Sequence, residues 1–228
     1  LIELQERASQ IDIRENKELK APLKFLTRDA QEGNFPNLST IEGQEQIESL
    51  INDEIKLVVL DNHSTLFRSG KEDESDSWLP IQNWLLSLRS LGKSVLLIHH
   101  AGKSGKQRGT SRREDVLDTV ITMKRPTGYK AQDGACIEVY FEKNRALYGD
   151  DVKPFEARLE SNTNDDGIKT LSWTCKSLED STFDTVCALA NKGLGNWEIA
   201  QELEIHKSTV SRYVNRGKEE GIIKPLNS

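Results

Sequence analysis

The 228-residue sequence has few of the residues from which extracellular or metal-bound scaffolds are built. It holds three cysteines and no Cys-x-x-Cys spacing, which argues against a disulfide framework and against a zinc site. No apolar run approaches the roughly 20 residues of a membrane span, and no basic segment followed by an apolar stretch opens the chain. We therefore expect a soluble, cytoplasmic protein with no membrane partner.

Basic residues are also fewer than acidic residues in this chain. The net charge of −6 at pH 7 gives the chain no global basic surface for nucleic acid. The charges are segregated, however, because residues 72–76 form an acidic cluster, whereas residues 102–113 hold five lysines and arginines and no acid. A local basic segment of this kind attracts phosphates even when the whole protein is acidic.

Alternating apolar segments in the first half are typical of an α/β fold. The continuous aliphatic runs at 57–61 and 94–98, on either side of a helical pattern over 77–91, predict parallel strands buried on both faces. Helices are also predicted over 1–17 and 40–52.

Shorter strands are predicted elsewhere. One is a candidate strand at 23–27. Four more, joined by polar turns, predict an antiparallel extension of the parallel sheet at 119–124, 137–143, 154–159 and 168–173.

Polar side chains follow both aliphatic strands. Asp61 and Asn62 end the first strand, and His99 and His100 end the second. Ligands of parallel sheets bind at this edge, where a carboxylate can hold the magnesium of a nucleotide. Adjacent imidazoles point to opposite sides of an extended segment, which makes them a poor metal pair and a better sensor of a γ-phosphate. The alternatives are a polar strand-to-loop transition and a solvent-capped strand end.

The segment after the second strand combines glycines with cations. Gly102, Gly105 and Gly109 give it flexibility, and phosphate-seeking charge comes from Lys103, Lys106, Arg108, Arg112 and Arg113. These residues predict a DNA-contacting loop over 101–113, with a solvated surface loop as the alternative.

Two cations close a later strand. Strand alternation places Lys143 and Arg145 on the same side, from which they could reach together for a phosphate across a subunit interface. An ion pair with an acid is the alternative.

The C-terminal residues are helical in pattern. An amphipathic helix over 182–192 precedes a helix from Asn196 to Leu203 and a third that begins at Lys207. The segment resembles the helix-turn-helix of resolvases and winged-helix regulators, with a wing opening at residues 221–223. The predicted DNA contacts are Lys207, Ser208, Thr209, Ser211, Arg212 and Arg216. Because acidic and basic residues are balanced here, a protein-docking module is the alternative.

Three segments together resemble the RepA-like, AAA_25-type branch of the RecA-fold ATPases. They are the strand of four hydrophobic residues followed by Asp-Asn, the signature from Ile98 to Asp118, and the Phe-Glu-Lys-Asn-Arg segment. This branch includes plasmid-encoded hexameric helicases. The resemblance covers roughly residues 1–160. It implies a RecA-like P-loop NTPase core over 1–176, with a mostly parallel sheet and an antiparallel extension. A small all-α helix-turn-helix domain over 181–228 would follow.

The resemblance also implies ATP and Mg²⁺ as cofactors and a homo-oligomer, in rings of six. It makes Asp61 the Walker B acid on magnesium, with Asn62 beside the cofactor, and His100 or its neighbour His99 the γ-phosphate sensor. Residues 101–113 would contact single-stranded DNA, with duplex DNA at the helix-turn-helix. Arg145, with Lys143, would be the arginine finger of a neighbouring site.

The Gly-x-x-x-x-Gly-Lys-Ser/Thr phosphate loop of such enzymes is missing. We expect it, with the catalytic glutamate, upstream of Leu1, and we expect no ATP hydrolysis by this chain alone. Two hypotheses follow. The first is an ATP-dependent DNA helicase or motor of a plasmid, phage or other mobile element. The second is a DNA-binding regulator or replication loader that uses the ATPase fold for assembly.

Overall fold

The computed structural model describes residues 23–31, 33–68, 75–100, 114–163 and 169–224. They fall into two compact units, one ending at Asp118 and the other beginning at Thr119. The predicted helix 1–17 and the predicted DNA loop 101–113 lie outside the described residues.

The first unit is built on two parallel strands and three helices. Its elements are α1 (Ile41–Glu48), β1 (Leu57–Asp61), α2 (His63–Leu66), α3 (Ser75–Ser90) and β2 (Ser94–Ile98). β1 and β2 pair in parallel from Leu57 opposite Ser94 to Asp61 opposite Ile98. Both strands and their parallel pairing are therefore confirmed as predicted.

The core of this unit lies on one face of the strand pair. Leu60 of β1 is buried there, together with Ile81, Trp84 and Leu88 of α3, and Val58 packs against the same cluster. Burial of each such aliphatic or aromatic side chain stabilises the folded state by roughly 1.5–3 kcal/mol. α3 thus holds the strand pair in place from one side.

The side chains on the opposite face of the strand pair are about half exposed. Leu57, Val59 and Leu96 are 55%, 51% and 49% exposed. For the described residues the prediction that both faces are buried is wrong, because their core helices pack on the face of Val58 and Leu60. The prediction of a strand at 23–27 is also wrong, because these residues have no strand partner among those described.

Helix α1 begins with a close backbone approach. The Thr40 side chain accepts a hydrogen bond from the amide of Gly43 and caps the helix. A Cβ at Gly43 would overlap the carbonyl oxygen of Asn37, so only glycine fits there. The helix ends at Glu48, four residues before the predicted end.

The second unit opens with an antiparallel sheet. Its strands are β3 (Thr119–Lys124), β4 (Cys136–Asn144), β5 (Phe155–Thr163) and β6 (Lys169–Ser177), in the order β3-β4-β5-β6. The antiparallel meander is confirmed. In the described residues β1 pairs with β2, and β3 to β6 form a sheet of their own. The predicted role of the meander as an extension of the parallel sheet stays a prediction. A mixed α/β protein with one parallel and one antiparallel sheet is compatible with a RecA-like fold.

Three helices follow β6 without a linker. They are α4 (Leu178–Asn191), α5 (Asn196–Glu202) and α6 (Lys207–Glu219). Ser177 is both the last residue of β6 and the N-cap of α4, where its side chain accepts from the amide of Asp180. The predicted division into domains 1–176 and 181–228 stays a prediction.

The helices share a core of their own. Its fully buried members are Val186 and Cys187 of α4, Ile199 of α5 and Val210 of α6. Gly217 lets α6 approach α4 closely, since a Cβ there would lie 2.7 Å from the Cys187 sulfur.

The segment after α6 closes back on α4. The Asn191 side chain donates to the carbonyl of Ile222 and accepts from the amide of Lys224. Residues after 224 lie outside the described part of the chain, so the wing predicted to open at 221–223 stays a prediction. Within the described part of the chain, no helix is long and apolar enough to cross a membrane.

Candidate functional site

Asp61 lies at the carboxyl end of β1, directly opposite Ile98 of β2. The strand carries alternate side chains to opposite faces, so Asp61 shares the half-exposed face with Leu57 and Val59. Its carboxylate is exposed and held at the rim of the sheet by the strand.

Asn62 turns the chain from β1 into α2. Its side-chain oxygen Oδ1 accepts from the amide of Thr65 at 3.3 Å, and the Thr65 hydroxyl accepts from the amide of Asn62 at 3.4 Å. This reciprocal pair is a capping box. It gives hydrogen-bond partners to backbone amides at the start of α2, which have no preceding helical turn to accept from them. The cap fixes where the Asn62 side chain can point.

His100 meets Asn62 across the two strand ends. The amide nitrogen Nδ2 of Asn62 lies 3.0 Å from Nε2 of His100. Both side chains are solvent-accessible, so a ligand could reach them. The structure therefore brings together three of the predicted site residues, Asp61, Asn62 and His100, at one edge of the parallel pair.

His99 faces the other way. Its ring stands edge-on to the buried ring of His63 at 5.1 Å, and His63 in turn contacts Phe67 at 5.1 Å and Trp78 at 5.9 Å. The two adjacent histidines thus point to different surroundings, as expected for an extended segment. His99 supports the strand end from inside, and His100 lines its rim.

The rim carries one exposed carboxylate, that of Asp61, of the kind that binds magnesium in nucleotide sites. Among the described residues no group of three or more His, Cys, Asp or Glu side chains is clustered to hold a metal ion by itself. Mg²⁺ is commonly bound through one or two carboxylates, with phosphates and waters as its other ligands. Asp61 would supply the carboxylate, and Asn62 and His100 the neighbouring hydrogen-bonding groups.

Lys143 and Arg145 stand at the end of β4 in the second unit. Lys143 is half-buried opposite Val120, and Arg145 is exposed one residue beyond the strand. The register shifts so that Glu142 is an extra residue between the pairs of Val120 and Ile121, which forms a β-bulge. The bulge precedes Lys143 and Arg145 lies beyond the end of β4, so the placement of both cations on one side stays a prediction.

The predicted DNA contacts of α6 occupy different surroundings. Lys207 and Ser208 are exposed at its first turn, where Ser208 contacts the His206 ring at 2.6 Å, and Thr209 is half-buried beside them. Ser211 is also half-buried and accepts from the Asn196 side chain, which ties α6 to α5.

The two arginines of α6 lean toward α4. Arg212 lies 4.0 Å from a carboxylate oxygen of Glu179, and Arg216 stacks over the Phe183 ring at 4.2 Å while pairing with Glu220 at 2.7 Å. The hydrogen bond to Glu220 raises the pKa of Arg216, which stays charged. The predicted loop contacts Lys103, Lys106, Arg108, Arg112 and Arg113 lie outside the described residues.

Residues 3–106 match the family model of the AAA domain. The match includes Asp61, Asn62, His99 and His100, and it supports an ATPase-type, nucleotide-binding family. Proteins of this type generally use ATP and Mg²⁺. Comparisons with curated proteins and with solved structures found no match.

Sequence reasoning missed two residues of this site. His63 was not singled out, although its ring supports His99, and Thr65 was not recognised as the partner of Asn62. The signal for Thr65 is local, because Asn at an N-cap position with a side-chain acceptor three residues later is the pattern of a capping box. No local signal marks His63, since its contact with His99 spans the two strands.

Proposed function

We propose that this chain is part of a RepA-like, ATP-dependent DNA helicase or motor ATPase of a plasmid, phage or other mobile element. It works as a ring-forming homo-oligomer, a hexamer, that couples ATP hydrolysis at subunit interfaces to DNA binding. The observation that carries the proposal is the meeting of Asp61 with the Asn62–His100 pair at the carboxyl edge of β1 and β2. That edge lies within the segment matched to the AAA domain.

In this proposal each predicted group of site residues has a role. Asp61 holds Mg²⁺, through water, and His100 senses the γ-phosphate. His100 is followed in the chain by the basic segment 101–113, so a displacement of the histidine on phosphate release is passed to that segment through the backbone. Arg145, with Lys143, completes the nucleotide site of a neighbouring subunit.

The Asp61→Asn substitution tests the magnesium role. An asparagine side chain keeps the size of the aspartate and removes its charge, so Mg²⁺-dependent binding of a fluorescent ATP analogue to the full-length protein should weaken by about 10- to 100-fold. Asp53→Asn, at an exposed turn of the same unit, is the matched control and should bind like the parent chain. Unchanged Mg²⁺ dependence in Asp61→Asn would contradict the proposed role.

The regulator or loader remains a second candidate because of the helices at the C-terminus. α5 and α6 are joined by a four-residue turn with a shared core, and Lys207 and Ser208 are exposed at the first turn of α6. This geometry supports a helix-turn-helix whose recognition helix is α6.

The two candidates differ in which arginine they need. A motor predicts DNA-stimulated ATP turnover in the full-length protein that is lost in Arg145→Ala. A regulator predicts sequence-specific duplex binding that survives Arg145→Ala and is lost in Arg212→Ala. Measuring turnover and duplex binding on the same two variants separates them.

A further inference from the structure

The Asn62 side chain uses both of its ends. Oδ1 accepts from the amide of Thr65 at 3.3 Å, and Nδ2 lies 3.0 Å from Nε2 of His100. One side chain therefore connects the capped start of α2, after β1, to the residue that follows β2 by two positions. The chemistry of those two contacts determines where the proton on His100 sits.

The orientation of the Asn62 amide is set by Thr65. A backbone N–H can only donate, so the atom that faces it must be an acceptor, which is Oδ1. The reverse orientation would point two N–H groups at each other and would break the cap. The capping box is closed from the other side by the Asn62 amide and the Thr65 hydroxyl, which keeps the residue in place.

Nδ2 consequently faces His100, and Nδ2 can only donate. The ring nitrogen that meets it must accept, so Nε2 carries a lone pair and no proton. A neutral imidazole has one N–H, and with Nε2 bare that N–H is on Nδ1.

We propose that Asn62 is a positioning residue that holds His100 in its Nδ1–H tautomer, so that Nδ1–H is the group that His100 offers to an anionic phosphate oxygen. The tautomer follows from the contacts of Asn62 alone, whereas its use on a phosphate rests on the proposed function. With the other tautomer, Nδ1 would present a lone pair to the anion and repel it. Asn62 therefore decides whether the histidine attracts a phosphate.

The tautomer is measured by ¹⁵N NMR on the chain with labelled histidine at pH 8, where an ordinary imidazole is neutral. The sequence has four histidines, and the His100 signals are assigned by their loss in His100→Gln. We expect a protonated Nδ1 and a non-protonated Nε2.

Asn62→Asp is the matched variant. Aspartate still caps α2 through an oxygen, but it presents a second acceptor to His100 in place of the amide donor. We expect the tautomer to invert, so that Nε2 becomes the protonated nitrogen. Asn62→Ser, which caps and does not reach His100, should lose the single preferred tautomer. A protonated Nε2 in the parent chain, or the same tautomer in parent and Asn62→Asp, would overturn the inference.

The same labelling of the full-length protein, followed by addition of Mg²⁺ and ATP, separates this inference from the proposed function. If His100 has the Nδ1–H tautomer and its Nδ1 signal does not respond to Mg·ATP, the sensor role fails and the tautomer assignment stands. If the signal responds but Nε2 carries the proton, the assignment fails and the proposed function stands.

Discussion

At the scale of single residues, the three cysteines have different surroundings. Cys136 and Cys187 are buried, and Cys175 is exposed on β6. Burial raises the pKa of both buried thiols, and the carboxylates of Glu156 near Cys136 and Asp184 near Cys187 add to the effect. A thiol with a raised pKa has less of the reactive thiolate at a given pH.

We therefore predict that at pH 8 one of the three cysteines reacts quickly with iodoacetamide. Peptide mass spectrometry should find the label on Cys175, and Cys136 and Cys187 should be labelled only after addition of denaturant or at strongly alkaline pH. The Cys175→Ser variant should show no fast phase. Fast labelling of Cys187 in the native chain would contradict the close packing of α4 against Gly217.

The site residues show what a sequence can and cannot reveal at this scale. Asp61 and the two histidines could be identified because each follows an aliphatic strand, where the sheet places its ligands. The Asn62–His100 contact could not, because its partners are 38 residues apart and the cap at Thr65 selects the Asn62 orientation. That His100 and not His99 lines the rim depends on where His63 and Trp78 pack.

At the scale of elements, the turn between α5 and α6 contains a residue under strain. Glu204 has a φ of 53°, the left-handed region that favours glycine. This conformation costs a non-glycine residue roughly 1–2 kcal/mol of folding free energy. Glycine avoids that cost, but part of the gain is cancelled because glycine loses more conformational entropy on folding.

Glu204→Gly should therefore raise the free energy of unfolding by about 0.5–1 kcal/mol. Gln201→Gly, in the right-handed conformation of α5, is the control and should lower it by about 1 kcal/mol. Urea denaturation followed by circular dichroism measures both. A loss of stability in both variants would mean that the left-handed turn does not form.

The strands were predictable where composition and boundaries agreed. β1 and β2 were predicted to the residue because each is an aliphatic run between polar segments, and β3 was predicted equally well. The burial of their two faces could not be predicted. An apolar residue such as Val59 is suited to burial, but the residue type does not tell which element packs against it. The bulge at Glu142 is set by the pairing of β4 with β3, which no periodicity in β4 alone reveals.

At the scale of the whole molecule, the described residues form two units with separate cores. Each unit contains a glycine against which other residues pack: Gly43 meets the backbone of Asn37 in the first, and Gly217 meets Cys187 and Ile223 in the second. We therefore expect that a substitution at either glycine destabilises its own unit.

Gly43→Ala should destabilise the first unit by about 1–3 kcal/mol, because the added methyl group meets backbone that cannot move aside. Hydrogen exchange should accelerate in α1, α3, β1 and β2 and stay unchanged in α4 and α6. Gly217→Ala should give the converse pattern, with a smaller effect because its neighbours are side chains. Equal acceleration in both units would mean that they unfold as one.

Ser177 joins β6 directly to α4 in the second unit. The last residue of β6 is also the cap of α4, so no linker separates the strand from the helix. The Lys176–Asp184 pair, at 2.9 Å, braces the same corner. This direct junction restricts rotation of α4 about the end of β6 more than a flexible linker would.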